Sequence, residues 1–448
     1  MPSRTERAVR VAVLADSDTR WKWGVLTARR ISPEKSRETS AGTSAETSPE
    51  SAAVTGFVLR GRATPTTRQL AETGVSDTAP REGTGAEFLR EVRDAGARGE
   101  GYDVIVLALV GGTVRAVLQG LAELGLERRP VIVTGYVGVV YEKLADGLLL
   151  RHGADVVLAN SRHDAERFRA VYEGVGADPH AVVEAALPFL GGAPHKPEPG
   201  RDTLVFAAQP SVPVTKAERV YVLRRLVEHA RLHPGREVLL KLRSKPGEHT
   251  THLEEFPYQR LVRDLPDGQV PANFRLVYGH MGEVLDRTDL LVTVSSTAAL
   301  EALHRRIPTA VLTDLGVREV LGNHHFIGSG LLTSFDALDK GAAPEPDEEW
   351  LGRQGVGVGG SYERAFDAAR ARVAELLAGP ALPPIAPYYT EATAGGYLPG
   401  ILARHRLDVT APEPRESGVR RIVREAARGA YRHGVQRVAP VIRRLGEL

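Results

Sequence analysis

The chain contains no cysteine in 448 residues. The absence of thiols excludes a disulfide framework, a thiolate metal site and a cysteine nucleophile, and it is typical of a reducing compartment. The chain also lacks any run of 18 apolar residues, so no segment is predicted to span a membrane. The first apolar stretch is broken by Arg10 and is too short for the core of a signal peptide. We therefore expect a soluble, cytoplasmic protein.

An excess of charge of one sign is lacking as well, since the formal net charge is +2. The charges are unevenly distributed, because residues 415–448 hold nine arginines against three glutamates. Apolar residues recur there at helical spacing, which predicts a basic amphipathic C-terminal helix. Such a helix either contacts an anionic membrane surface, making the protein peripheral at the inner face of the plasma membrane, or packs on its own body. Nucleic acid is not predicted as a partner, because aromatic side chains do not alternate with the arginines.

Large apolar side chains are nearly absent from two stretches, near 33–53 and 76–86, which are rich in Ser, Thr and Glu. Such stretches bury too little apolar surface to offset the entropy of the chain. We predict that both are disordered insertions in the first domain.

Elsewhere, buried-strand patterns alternate with helical patterns, beginning with the apolar runs at Val9–Ala15 and Val104–Leu109. This alternation is typical of parallel sheets covered by helices on both faces. The predicted fold class is α/β, with two doubly wound Rossmann-like domains facing a cleft. The predicted boundaries are an acceptor-side N-terminal domain at 1–190, a Pro/Gly-rich linker at 191–201, a nucleotide-binding C-terminal domain at 202–385, and a crossover segment with the basic helix at 386–448.

The most informative segment runs from Asp289 to Leu312 and reads DLLVTVSSTAALEALHRRIPTAVL. A strand ends at Val294, a hydroxyl-rich turn follows, and a helix begins. Unpaired amide groups at the start of a helix favour an anion. We therefore predict that phosphates bind near Ser295, Ser296 and Thr297, with ribose hydroxyls near Glu301. The alternative is that Ser296 only caps the helix.

This segment resembles the nucleotide-binding core of GT-B glycosyltransferases. Its paired hydroxyls resemble the phosphate-binding serines of bacterial sialyl- and polysialyltransferases and of CDP-glycerol glycerophosphotransferases. Together with the opening VAVLADSDTRWKWG and the segment KLRSKPGE, it resembles a family of uncharacterised actinobacterial glycosyltransferases.

The resemblance implies a GT-B enzyme, independent of metals and cofactors, whose nucleotide-activated sugar is a substrate. It implies transfer to an envelope polysaccharide or lipid-linked acceptor. Two alternatives remain open: a nucleotide-sugar 2-epimerase, and a non-catalytic cytosolic protein that binds sugar or nucleotide.

The sequence departs from the sialyltransferase pattern after the strand Val238–Leu242, where those enzymes carry a His-Pro pair. Here the strand leads into a cationic segment containing Lys241, Arg243 and Lys245. Clustered cations neutralise a diphosphate, and a guanidinium forms bidentate contacts with phosphate. We predict that Lys241 and Arg243 bind a nucleoside diphosphate; the alternative is a solvated basic loop.

Two carboxylates, Asp16 and Asp18, directly follow the first strand, where the sheet edge should face the cleft. Sugar transfer with inversion needs a base for the acceptor hydroxyl, and either aspartate fits that role. The alternative is that an aspartate caps the following helix.

Aromatic residues and glycines near the same edge are predicted to contact the acceptor or sugar. These are Trp21, Trp23, Gly135 and Tyr136. No metal site is predicted, because the spacing of His249, His252, His324 and His325 matches no metal motif. We interpret His324 and His325 as loop surface; the alternative is that one of them contacts donor sugar or phosphate.

Overall fold

The continuous apolar runs form the central strands of two parallel sheets in the computed structural model. The structure describes residues 8–32, 53–61, 63–139, 143–246, 248, 254–266, 268–356 and 362–405. The predicted α/β fold class with two Rossmann-like domains is confirmed. The basic segment 415–448 lies outside the described residues, as do residues 33–52, His249 and His252.

The first sheet has seven parallel strands in the order β3-β2-β1-β4-β5-β6-β7. Its strands are β1 (Arg10–Ala15), β2 (Ala53–Leu59), β3 (Arg81–Gly83), β4 (Val104–Ala108), β5 (Val131–Gly135), β6 (Val156–Ala159) and β7 (Val182–Glu184). The helices of this region are α1 (Asp18–Ile31), α2 (Thr67–Ala71), α3 (Gly85–Ala97), α4 (Gly111–Glu123), α5 (Leu144–Leu149) and α6 (Arg162–Gly174).

The second sheet has six parallel strands in the order β10-β9-β8-β11-β12-β13. They are β8 (Thr203–Ala207), β9 (Glu237–Lys241), β10 (Phe274–Val277), β11 (Leu290–Thr293), β12 (Thr309–Leu312) and β13 (Leu332–Thr333). The remaining α-helices are α7 (Lys216–Leu232), α8 (Tyr258–Arg263), α9 (Met281–Leu285), α10 (Ala298–His304), α11 (Phe335–Asp339), α12 (Glu348–Arg353), α13 (Asp367–Ala378), α14 (Glu391–Ala394) and α15 (Leu398–His405). Short 3-10 helices cover Glu319–Leu321, Asn323–Phe326 and Glu363–Phe366.

The inner strands β1, β4, β5 and β8 are buried along nearly their whole length. Helices cover both faces of each sheet, so both sets of alternating side chains are apolar. Several helices begin at a capping box, as α7 does: Thr215 Oγ1 accepts from Glu218 N at 3.2 Å, and Glu218 Oε2 accepts from Thr215 N at 3.3 Å. These capping boxes fix the residues at which the helices begin. They agree with the alternation of strands and helices along the chain.

The chain returns to the first domain after the second sheet. Helix α13 packs against α1 and β7, and α15 packs against α4. Hydrogen bonds fix the returning segment: Arg115 Nε donates to Tyr389 O at 2.9 Å, and Arg129 Nε donates to Pro383 O at 2.8 Å. The chain has therefore crossed back to the first domain before residue 386, because α13 already packs on the first sheet.

One predicted insertion is ordered, which corrects the prediction of disorder at 76–86. Residues 81–83 form β3 at the edge of the first sheet, paired with β2 from Phe57 to Leu59. This strand has no recognisable pattern in the sequence because it is only three residues long and its first two side chains are exposed. The stretch beginning at Ala53 likewise forms β2, so disorder at that end of 33–53 is also corrected.

Candidate active site

The carboxyl ends of the central strands from both sheets meet across a cleft. Asp18 follows β1 and forms an ion pair across the cleft with Arg243, which follows β9. Thr297 follows β11 and approaches Gly138 in the loop after β5: a β-carbon at Gly138 would lie 3.2 Å from Thr297 Oγ1. The fold therefore brings together side chains from the two domains that the sequence predicted as a site.

The serine turn, residues 295–297, has one buried and two accessible members. Ser295 Oγ donates to Leu321 O at 2.5 Å and also lies 3.2 Å from Gln209 Oε1. Its hydroxyl holds the turn in place, and a contact of Ser295 with phosphate stays a prediction. Ser296 and Thr297 are half-buried at the cleft. Ser296 Oγ accepts from Ala298 N at 3.2 Å, so the capping alternative for this serine is also realised.

Glu301 lies on α10 at the boundary between the domains. Its side chain is buried, and its Oε2 is 3.5 Å from Lys22 Nζ on α1. The Lys22 ammonium is also 4.9 Å from the centre of the Phe189 ring. Glu301 therefore carries a cross-domain ion pair. Its contact with ribose remains a prediction.

Lys241 is the most unusual cation of the cleft. It ends β9, is only 7% exposed, and its Nζ donates to Leu242 O at 2.7 Å. No carboxylate among the described residues lies within ion-pair distance of it. Burial lowers the pKa of Lys241 to about 8. A desolvated ammonium that pairs with no described carboxylate is well placed to receive an anion.

Asp16 is held inside the first domain by both carboxylate oxygens. Oδ2 accepts from Val110 N at 3.0 Å, at the start of α4, and Oδ1 accepts from Arg20 Nη1 at 2.8 Å. These contacts tie β1 to the neighbouring strand end. Because both oxygens bond within the first domain, we propose that Asp16 positions the strand ends, and its role as the base stays a prediction.

Asp18 is the carboxylate that reaches across the cleft. Burial opposes its ionisation, but the charge and hydrogen bond of Arg243 outweigh burial and hold the pKa of Asp18 below its usual value. Arg243 also donates to Thr19 Oγ1. While this pair persists, Asp18 is ionised but is a weak base, and Arg243 is not available to a phosphate.

Burial and packing contradict the predicted acceptor contacts of Trp21, Trp23 and Gly135, whereas that of the half-buried Tyr136 stays a prediction. Trp21 and Trp23 are 0% and 1% exposed because both pack in the core around α1. Gly135 lies inside β5, where a β-carbon would come within 2.8 Å of Trp23 Cζ2. Tyr136 packs its ring on Arg151, at 4.0 Å, and on Phe168. The sequence could not distinguish a sugar-stacking indole from a core indole next to the same strand.

The described residues bring together one set of possible metal ligands, His229, His233 and Asp339. His229 Nδ1 is 2.5 Å from Asp339 Oδ1, and its Nε2 is 3.1 Å from Arg236 Nη1. Both ring nitrogens are therefore already engaged. The set lies at the end of α7, just before β9 begins, and hence at the sheet edge opposite the cleft.

A recess next to the cleft was missed by the sequence reasoning. It has a volume of about 480 Å³ and lies between α6 of the first domain and α12 of the second. His324 and His325, interpreted from the sequence as loop surface, both line it. No sequence pattern reveals this recess, because its lining residues come from segments far apart in the chain.

No helix among the described residues is both long and apolar enough to cross a lipid bilayer.

A family model described as "Putative glycosyltransferase (DUF6716)" matches residues 11–376. None of the curated proteins matches the sequence significantly. A solved UDP-GlcNAc 2-epimerase from Methanocaldococcus jannaschii, in complex with UDP-GlcNAc and UDP, is 12% identical over 83% of this chain and 100% of its own, with a TM-score of 0.48.

Two further solved structures are similar at the same distant level. The UDP-GlcNAc 2-epimerase from Neisseria meningitidis, bound to UDP-GlcNAc, is 9% identical over 82% of this chain and 100% of its own, with a TM-score of 0.45. A mutant O-GlcNAc transferase from Thermobaculum terrenum is 13% identical over 91% of this chain and 69% of its own, with a TM-score of 0.35. At such identities and TM-scores these likenesses carry no argument about substrate or reaction.

Proposed function

The chain belongs to the DUF6716 glycosyltransferase family, and from that premise we propose that it transfers a sugar from a nucleoside-diphosphate donor held by the second domain. The observation that supports this donor class most strongly is Lys241, a buried ammonium that has no carboxylate partner among the described residues. A diphosphate supplies the missing counter-charge where a neutral ligand does not. Binding it at the carboxyl edge of the second sheet matches the general position of ligands in doubly wound domains.

In this proposal the pyrophosphate lies between Lys241 and the two accessible members of the serine turn. Ser296 and Thr297 are half-buried at the cleft, and they offer hydroxyl donors beside the start of α10. The resemblance of this turn to the phosphate-binding serines of bacterial sialyltransferases supports the same assignment. Glu301 is proposed to accept hydrogen bonds from the ribose.

Arg243 is proposed to change partners when the donor binds. In the empty protein it pairs with Asp18, whereas a diphosphate offers it a doubly charged, bidentate partner. Loss of the guanidinium removes the interaction that depresses the pKa of Asp18. Asp18 then becomes a stronger base at the moment when the donor is in place.

The proposed transfer step follows from that exchange. The acceptor hydroxyl oxygen bonds to the anomeric carbon, its proton passes to the Asp18 carboxylate, and the bond from the anomeric carbon to the phosphate oxygen breaks. The nucleoside diphosphate leaves with that electron pair, stabilised by Lys241 and Arg243. The cross-domain pairs Lys22–Glu301 and Arg68–Glu248 hold the lobes together and help exclude water that would hydrolyse the donor.

We also propose that the enzyme is cytoplasmic and acts on an envelope polysaccharide or a lipid-linked acceptor. In this proposal its basic segment 415–448 lies on an anionic membrane surface. It is supported by the nine arginines of that segment. Each cation near such a surface contributes roughly 1 kcal/mol.

A thermal-shift screen tests the donor assignment. UDP, CDP, GDP and CMP are compared with free sugars, and a diphosphate is expected to raise the melting temperature most. Ser296→Ala and Glu301→Ala are each expected to reduce the shift, which is measured from each variant's own melting temperature without nucleotide because Glu301 also pairs with Lys22. Stabilisation by free sugar alone would support a sensor, and release of epimerised sugar without any acceptor would support an epimerase.

A further inference from the structure

The recess beside the cleft has the position of a second binding site. Val139 lines it, and the preceding residue, Gly138, approaches Thr297 of the serine turn. His163 and Arg167 of α6 line its first-domain side, and α6 begins shortly after β6 ends. The recess therefore opens at the same sheet edge as the cleft, adjacent to the proposed donor phosphates.

The polar lining of the recess is electrically balanced. Two guanidinium groups, Arg167 and Arg353, are matched by two carboxylates, Asp347 and Glu349. Burial lowers the pKa of His325 to about 4, so this ring is neutral near pH 7. In contrast to the environment of Lys241, the recess has no excess charge for a phosphate to neutralise. Balanced charges favour a neutral ligand with many hydrogen-bonding groups.

The recess also contains polar atoms that have no partner among the described residues. Gln354 is 4% exposed and its Oε1 accepts no hydrogen bond there, and the buried Nε2 of His325 is in the same state. Buried polar atoms without partners are rare, because each costs about 1–3 kcal/mol. Both atoms belong to side chains that line the recess.

Trp350 supplies an aromatic surface in the same lining. It packs with Phe326, the ring centres being 5.7 Å apart, and is only partly buried. The Trp350 indole offers an apolar surface to a ligand. The carboxylate, amide and imidazole groups of the same lining offer hydrogen-bond donors and acceptors. The volume of about 480 Å³ lies within the range of small-molecule sites.

We propose that this recess binds a neutral sugar unit of the acceptor, placing the acceptor hydroxyl next to the donor. The inference rests on the proposed function for its biological meaning, but the binding itself can be measured without a donor. It replaces the acceptor contacts predicted at Trp21 and Trp23, which lie in the core.

Tryptophan fluorescence provides the test, because Trp21 and Trp23 are fully buried and Trp350 is the only other tryptophan. The full-length protein is titrated with maltose, cellobiose, lactose and chitobiose in the absence of nucleotide. At least one disaccharide is expected to change the emission. Glu349→Gln is expected to weaken that binding about tenfold, the effect of losing a hydrogen bond to a charged group.

Glu348→Gln is the matched control, since Glu348 is the exposed neighbour on the same turn of α12 but does not line the recess. Its affinity should equal that of the wild type. The inference is overturned if no disaccharide changes the emission, if both variants bind equally, or if only inorganic phosphate or UDP produces the change. Nucleotide binding is measured separately by calorimetry, so a protein that binds UDP but no disaccharide loses this inference alone.

Discussion

Replacing Lys241 by methionine is predicted to stabilise the empty protein while removing its ability to bind a nucleoside diphosphate. Burial takes the pKa of Lys241 from its ordinary value of 10.5 to about 8. Keeping the ammonium charged in the folded protein at pH 7 therefore costs about 3 kcal/mol relative to the unfolded chain. Methionine retains the apolar stem without the charge. The hydrogen bond from Nζ to Leu242 O is lost, so we expect a net gain of about 2 kcal/mol.

The stabilisation expected from Lys241→Met depends on pH in a defined direction. Between pH 8 and 10.5 the unfolded chain binds the Lys241 proton more tightly than the folded protein, so the free energy of unfolding contributed by this group rises with pH. The advantage of Lys241→Met should therefore be largest at or below pH 7 and should vanish near pH 10.5. Urea unfolding at several pH values measures both effects.

Lys340→Met is the control, because Lys340 is exposed at the end of α11 and away from the cleft. It should leave both stability and nucleotide binding unchanged. The reasoning about Lys241 is refuted if Lys241→Met lowers the free energy of unfolding at pH 7, or if the variant keeps the pH dependence of the wild type.

Three further predictions concern Asp18, Gly135 and the titration of Lys241. Because Asp18→Asn releases Arg243 but removes the base, calorimetry should show tighter nucleotide binding and a product assay should show loss of transfer; retained transfer would exclude Asp18 as the base. Gly135→Ala should cost about 1–3 kcal/mol by overpacking Trp23, whereas Gly174→Ala, with open space around it, should cost nothing in the same urea assay. Nucleotide affinity should fall as the pH rises through 8 and the lysine deprotonates, and a flat profile from pH 7 to 10 would contradict this assignment.

The sequence predicted the inner strands well, because a strand buried on both faces reads as a continuous apolar run. The predicted bounds of β1 and β4 each lie within one residue of their observed ends. The edge strand β3 was missed because its first two side chains are exposed. The early return of α13 to the first domain was also missed, since nothing in an amphipathic pattern states which sheet it will cover.

The candidate site was predictable only as a set of strand ends. Parallel topology brings such ends to one edge, so the ion pair between Asp18 and Arg243 followed from correct strand placement. Strand placement did not show which of the side chains at this sheet edge are buried. Spacing alone does not show that Ser295 bonds to Leu321 O, or that Lys241 faces inward and pairs with no described carboxylate, because both depend on segments distant in sequence.

The central claim is that a diphosphate neutralises the buried ammonium of Lys241. Isothermal calorimetry tests this claim most directly. UDP, CDP and GDP are titrated into the wild type, Lys241→Met and Lys340→Met at pH 7. We predict that at least one diphosphate binds the wild type and Lys340→Met at one site per chain, and that binding to Lys241→Met is at least tenfold weaker, since a charge-assisted contact contributes roughly 1.5–3 kcal/mol. Equal affinity for the wild type and Lys241→Met, or no binding of any diphosphate to the wild type, would contradict it.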